Sequence, residues 1–149
     1  MRRINVEGVT NVTRAVIGGM RERRYGRIVN VSSIAAIGTA LPGNAFYAAT
    51  KAEVAILTKR FAMELGSHNV TVNAVAPGFV RTDLTRGGRC AADWPGTEER
   101  FAAKAMLGRI GESEDIANAI AFLSSPASGW ITAQILTVDG GRMDYIGHG

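Results

Sequence analysis

The chain of 149 residues is long enough for one domain with its own core. Hydrophobic residues make up 46% and charged residues 20%, which excludes a disordered chain, and no apolar run approaches the ~20 residues that a bilayer crossing needs. The formal charge is +4, but Lys and Arg are scattered apart from clusters at Arg2-Arg3 and Arg21 to Arg24; with no aromatic-interleaved basic face, solvation of helix ends accounts for them better than nucleic-acid binding.

A single cysteine, Cys90, cannot form an internal disulfide and favours a reducing, cytoplasmic setting. It stands in a Gly-rich loop with no histidine near it in sequence and reads as inert. The opening MRRINVEG has basic residues but no following apolar region of a secretion signal, so helical pattern is expected to begin at once.

The first helix is predicted over residues 3 to 24, with a stripe of Val9, Val12, Val16 and Met20 that ends at Tyr25-Gly26. Extending the stripe back one turn reaches Asn5, an amide that must find partners inside. RIVNVSS, residues 27 to 33, reads as a buried strand. A helix follows from about Ala45 to Leu65, apolar nearly all round and closed by Gly66, so one face should meet a sheet and the other a second subunit. VTVNAVAP, residues 70 to 77, is a second strand stopped by Pro77-Gly78. Strand, long helix and strand in that order predict a right-handed crossover between parallel strands, hence an α/β fold. Residues 79 to 97 read as irregular and lid-like, 98 to 107 as a short helix, and DIANAIAFLSS as a helix with Ser113 as its N-cap. ITAQILTVDGG supplies a third strand.

In such sheets ligands bind beyond the carboxyl ends of the strands. Ser33 ends the first strand, Pro77-Gly78 ends the second, and Tyr47 with Lys51 opens the helix between them. Four residues apart on a helix, Tyr47 and Lys51 face the same way. A tyrosine with an ordinary pKa near 10 is a poor proton donor or acceptor at pH 7, and a neighbouring ammonium favours its phenolate. A serine hydroxyl beside the phenol could hold the oxygen of a carbonyl or alcohol. Each of these features alone has a blander explanation: a chance helical pair, a turn, a strand stop, a satisfied amide. Together they point to proton transfer at oxygen in a site that also needs a source of hydride.

These residues resemble the short-chain dehydrogenase/reductase family over essentially the whole chain. The landmarks fall in order: the asparagine of INVEG, RIVNVSS, YAATK as Tyr-x-x-x-Lys, VNAVAPGFVRTDL, GRIGESEDIANAIAFLSSP and ITAQILTVDGG. Among its branches the likeness is nearest to 3-oxoacyl-thioester reductases and related short alcohol dehydrogenases.

The resemblance implies a Rossmann-like parallel sheet with flanking helices, and reversible carbonyl reduction with NAD or NADP. Tyr47 would be the general acid/base, and Lys51 would tune it and bind the nicotinamide ribose. Ser33, with Ser32 as the competing candidate, would orient the substrate oxygen. Asn5 would hold a water that links Lys51 to solvent. Pro77, Gly78, Val80 and Thr82 would line the nicotinamide side; no metal ligands are assigned. A homodimer or homotetramer is implied.

Two departures stand out. Ala133 occupies a place where the family commonly has glycine, a change expected to need only a shift in backbone packing. The larger departure is that the sequence contains no Thr-Gly-x-x-x-Gly-x-Gly turn to cradle the cofactor pyrophosphate. The chain is therefore expected to be a single partial domain, the catalytic and oligomerisation half, lacking the N-terminal strands. Its first strand would present an open apolar edge, and the chain alone would bind cofactor poorly. A noncatalytic interaction module is the alternative from another class. The substrate is not readable from these residues.

Overall fold

The run VTVNAVAP is buried along almost its whole length, as a strand covered on both faces should be. In a computed structural model that describes residues 1–87 and 94–145, it forms the central strand β2, Val70–Pro77. Strand β1, Gly26–Val31, pairs with it in parallel from Gly26 opposite Val70 to Val31 opposite Val75. Strand β3, Ile135–Val138, pairs in parallel on the other side, from Ala74 opposite Ile135 to Pro77 opposite Val138. The parallel sheet with flanking helices expected from the sequence is present, in the order β1-β2-β3.

Helix α1, Gly8–Glu22, and helix α2, Ala45–Leu65, pack on one face of the sheet. There Ala62, Leu65, Val70 and Val72 form a buried cluster joined by Ile17, Met20, Ile28 and Phe61. Strand alternation sends Thr71, Asn73 and Val75 to the opposite face, which α5, Ser113–Ser124, covers through the buried Leu123. Within the core, Asn30 Nδ2 donates to Thr58 Oγ1 at 2.9 Å, and that hydroxyl donates to Val54 O at 2.8 Å, whereas the buried Thr71 Oγ1 has no hydrogen-bond partner.

Several boundaries differ from the sequence reading, each for a local reason. The first turn before α1 is a π-helix, Arg3–Glu7. The predicted stripe of α1 is only partly covered, since Val12 and Val16 remain exposed beside the free edge of β1. Gly66 continues into a short 3₁₀ turn, and it is Asn69, at φ +57°, that takes the left-handed position before β2. The stretch expected to be irregular contains a short helix α3, Asp83–Gly87, and α4 spans Trp94–Ala102 rather than 98 to 107. Pro95 suits a helix start. The helix cannot run on because the amides of Met106 and Leu107 donate instead to the carbonyls of Gly141 and Gly140, both at 3.0 Å. The N-cap of α5 is Glu112, not Ser113: Asp115 accepts from the Glu112 amide at 2.8 Å in a capping box. Cys90 and the middle of the expected lid lie outside the described residues.

Ala133 has φ +62°, so its departure from glycine costs backbone energy and is not merely a packing shift. A left-handed alanine costs about 1–2 kcal/mol, partly offset by the ~0.5–1 kcal/mol that glycine loses in chain entropy. Ala133→Gly should therefore stabilise the fold by about 0.5–1 kcal/mol, read as a higher urea midpoint. A lower midpoint would contradict this account.

Candidate active site

At the carboxyl end of β1 the chain keeps its bond to β2 for one more residue, Ser32 N to Val75 O at 2.8 Å. The buried Ser32 hydroxyl donates to Lys51 O at 2.8 Å, which anchors α2 to the strand end. Ser33 Oγ instead accepts from Ala35 N at 3.2 Å and so caps the 3₁₀ turn Ile34–Ala36. Because it acts there as an acceptor, its proton remains available to a ligand. The two adjacent serines thus differ: the first is spent on structure and the second faces a cavity.

That cavity, of about 190 Å³, is lined by Ser33 and Tyr47 together with Gly78, Phe79, Phe101 and Arg142. Tyr47 lies in the first turn of α2. One turn on, Lys51 Nζ stands 5.8 Å from the centre of the Tyr47 ring, within cation–π range. Its ammonium also donates to Val31 O at 2.8 Å, capping a carbonyl at the end of the edge strand. Two of its three donors are left for a ligand. Burial pushes the Lys51 amine below the ordinary lysine value.

Asn5 reaches the same helix through one intermediate. Its Nδ2 donates to Thr50 Oγ1 at 3.0 Å, and Thr50 Oγ1 donates to the Tyr47 carbonyl at 2.8 Å. Thr50 was not singled out by sequence reasoning, although its place three residues after Tyr47 puts it within reach of that carbonyl. Asn5, Val31 and Lys51 also line a second depression of about 420 Å³ that runs between α1 and β1 and is otherwise mostly apolar.

The remaining candidates are placed less directly. Pro77 ends β2 opposite Val138. A Cβ on Gly78 would lie 2.8 Å from Asp139 Cα, so only glycine allows the turn after β3 to close against β2. Val80 forms a bridge with Gly111, and its carbonyl accepts from Thr85 Oγ1 at 2.9 Å. Thr82 Oγ1 accepts from the Thr85 amide at 3.2 Å, capping α3. Neither Val80 nor Thr82 lines the cavity of Tyr47. A larger open depression of about 900 Å³ beside α4 is walled by charges that neutralise one another, Arg81 with Glu98 and Glu112, and Arg109 with Asp115. It shares no lining residue with the Tyr47 cavity. Among the described residues no group of three His, Cys, Asp or Glu is placed to hold a metal ion, and no helix is long and apolar enough to cross a membrane.

The family described as enoyl-(acyl carrier protein) reductase matches residues 1–142. The 3-oxoacyl-[acyl-carrier-protein] reductase of Vibrio cholerae is 43% identical over 140 residues, covering 92% of this chain and 54% of its own length. Among solved structures, a gluconate 5-dehydrogenase from Burkholderia cenocepacia in complex with NADP and tartrate superposes with a TM-score of 0.84 at 35% identity, over 93% of this chain and 52% of that one. A 3-oxoacyl-[acyl-carrier protein] reductase from Brucella melitensis with bound NAD gives 0.82 at 34% identity, over 93% and 49%. The chain belongs to the short-chain dehydrogenase/reductase family, whose members here are oxidoreductases. It spans about half the length of the curated relatives it matches.

Proposed function

We propose that this chain supplies the catalytic half of an NAD(P)-dependent oxidoreductase that interconverts a carbonyl and a secondary alcohol. The observation that carries the reading is the meeting of Ser33 and Tyr47 at one cavity, with the Lys51 ammonium over the Tyr47 ring. Ser33, its proton free, holds the substrate oxygen. Tyr47 gives that oxygen a proton in reduction and removes it in oxidation, and Lys51 favours the charged form of the phenol. Asn5, tied through Thr50 to the backbone of Tyr47, fixes the start of α2 and holds the water that connects Lys51 to solvent.

A bound nicotinamide cofactor supplies or accepts the hydride. The donor set fits its nicotinamide end: Lys51 keeps two free N–H donors for ribose hydroxyls, near the Tyr47 ring. Pro77, Gly78, Val80 and Thr82 would flank the ring and its carboxamide. The pyrophosphate end lacks a matching cradle, because these residues include no Gly-rich turn between a strand and a helix. The 149-residue polypeptide by itself is accordingly a weak binder with little or no turnover.

A second reading, a noncatalytic interaction module, is favoured by the outer face of α2. Phe46, Ile56 and Met63 are exposed there, an apolar surface suited to a second copy in a homodimer or homotetramer.

NADH fluorescence separates the two readings. The chain alone should show no saturation below about 1 mM, whereas a chimera joining it to the N-terminal half of the Vibrio cholerae reductase should saturate at micromolar cofactor and reduce a short oxo ester. A folded chimera that binds no cofactor and turns nothing over would overturn the enzymatic reading. Co-assembly of this chain with an intact relative, without cofactor binding, would favour the module.

A further inference from the structure

We infer that Arg142 makes the catalytic cavity selective for substrates that carry a carboxylate close to the reacting carbonyl or alcohol. This rests on the reading of Ser33 and Tyr47 as the groups that handle the substrate oxygen. Arg142 is the only charged side chain that lines their cavity among the described residues. Its side chain is 4% exposed, so the guanidinium is held in place rather than waving in solvent.

Three contacts fix it. Nε and Nη2 both donate to the carboxylate of Asp144, and the guanidinium lies 5.2 Å from the centre of the Phe101 ring. Nη1 donates to no described residue, so its two N–H groups remain available to a ligand. Asp144 does not neutralise it fully, because the same carboxylate also receives Lys104 Nζ at 2.8 Å. Two cations share one anion, and both hold the Asp144 carboxyl down at about 2, Arg142 most strongly. Arg142, Lys104 and Asp144 together carry one net positive charge, with the Asp139 carboxylate held by Tyr145 nearby, and the free N–H donors belong to the residue on the cavity wall.

The rest of the wall suits a small molecule. Phe79 and Phe101 stack with ring centres 3.9 Å apart and present apolar surface next to the guanidinium. At the ~30 Å³ that a water occupies, about 190 Å³ holds roughly six non-hydrogen atoms, the size of a short oxo acid or hydroxy acid. With the carbonyl at Ser33 and Tyr47, a carboxylate a few bonds away would reach the free N–H donors of Arg142 and form a charge-assisted hydrogen bond. A neutral ester would leave those donors unpaired.

Acetoacetate and its neutral methyl ester, titrated into the 149-residue chain, test this. The ring resonances of Tyr47, assigned with Tyr47→Phe, report binding in the cavity. Acetoacetate should perturb them with at least about tenfold higher affinity than the ester. Arg142→Met should erase that preference, and Arg142→Lys should keep part of it. Asp144 retains Lys104 in either variant, and the comparison in the parent chain stands even if a variant fails to fold. Equal responses to acid and ester would overturn the inference, as would no response of Tyr47 to acetoacetate. The redox reading is tested separately: a chimera without hydride transfer, together with acid-selective binding at Tyr47, would refute the enzyme and retain the carboxylate site.

Discussion

Replacing Tyr47 with phenylalanine in the chimera should lower kcat by about 10²–10⁴-fold, the range removed with a general acid/base, and leave the urea midpoint within about 0.5 kcal/mol of the parent. The two halves of this expectation have separate causes. Tyr47 lines the cavity and its hydroxyl donates to no described residue, so the fold does not depend on it. What the fold does use is the Tyr47 carbonyl, which accepts from Thr50 and survives the substitution. Retained turnover would remove Tyr47 from the reaction. Lys51→Met probes the other member of the pair. Burial lowers the Lys51 pKa, so the ammonium loses its proton at a lower pH than an ordinary lysine would. Any help it gives to the phenolate is therefore present below that pKa and fades as the pH rises through it. Without it the optimum of kcat/KM should move upward by about one pH unit, and cofactor affinity should fall with the lost N–H donors. An unchanged pH profile would show that Lys51 does not tune the tyrosine.

The features of this site that could be read from sequence are those set by local spacing. Tyr47 and Lys51 stand four apart on a helix, Ala45–Leu65, whose apolar run and closing Gly66 are plain in the sequence. VTVNAVAP announces its own ends, because Pro77 cannot continue a ladder. Features set by distant chain were not legible. Glu112 caps α5 only because Asp115, itself gripped by Arg109, turns back to its amide, whereas Ser113 has the better cap chemistry on paper. The end of α4 is decided by Gly140 and Gly141, nearly forty residues away. Arg142 follows those glycines and reaches the Tyr47 cavity because Gly78 leaves room for the turn that carries it. The segmentation of the exposed stripe on α1 was missed for a related reason: helical periodicity marks which side chains are apolar but not whether anything lies against them.

Asn73 shows the same dependence in energetic form, and Asn73→Ala is expected to destabilise the chain by about 3 kcal/mol. An amide inside VTVNAVAP looks like an interruption of an apolar run, yet it is fully buried at the middle of the central strand. Its Nδ2 donates to Ile131 O at 2.9 Å, and its Oδ1 accepts from Gln134 N at 3.0 Å. Both partners belong to the segment before β3, where the ladder to β2 has not yet begun. The side chain thus does the work of a missing rung, alongside Ala133 N to Val72 O at 2.9 Å and Val72 N to Thr132 Oγ1 at 3.1 Å. Truncation strands one backbone donor and one acceptor, each costing about 1–3 kcal/mol if water does not replace the bond, and opens a small void. Against a typical total of about 5–15 kcal/mol the loss is large. Asn73→Asp should cost no less, because it exchanges the donor facing Ile131 O for a second acceptor in a buried site. Urea denaturation gives the magnitude, and amide exchange at Ala133 and Gln134 should accelerate more than at Val72. A loss below about 1 kcal/mol would mean that water fills the gap. Because β3 leads directly into the turn bearing Arg142, loosening its start should also weaken the preference for acetoacetate over its ester, without altering any residue of the cavity.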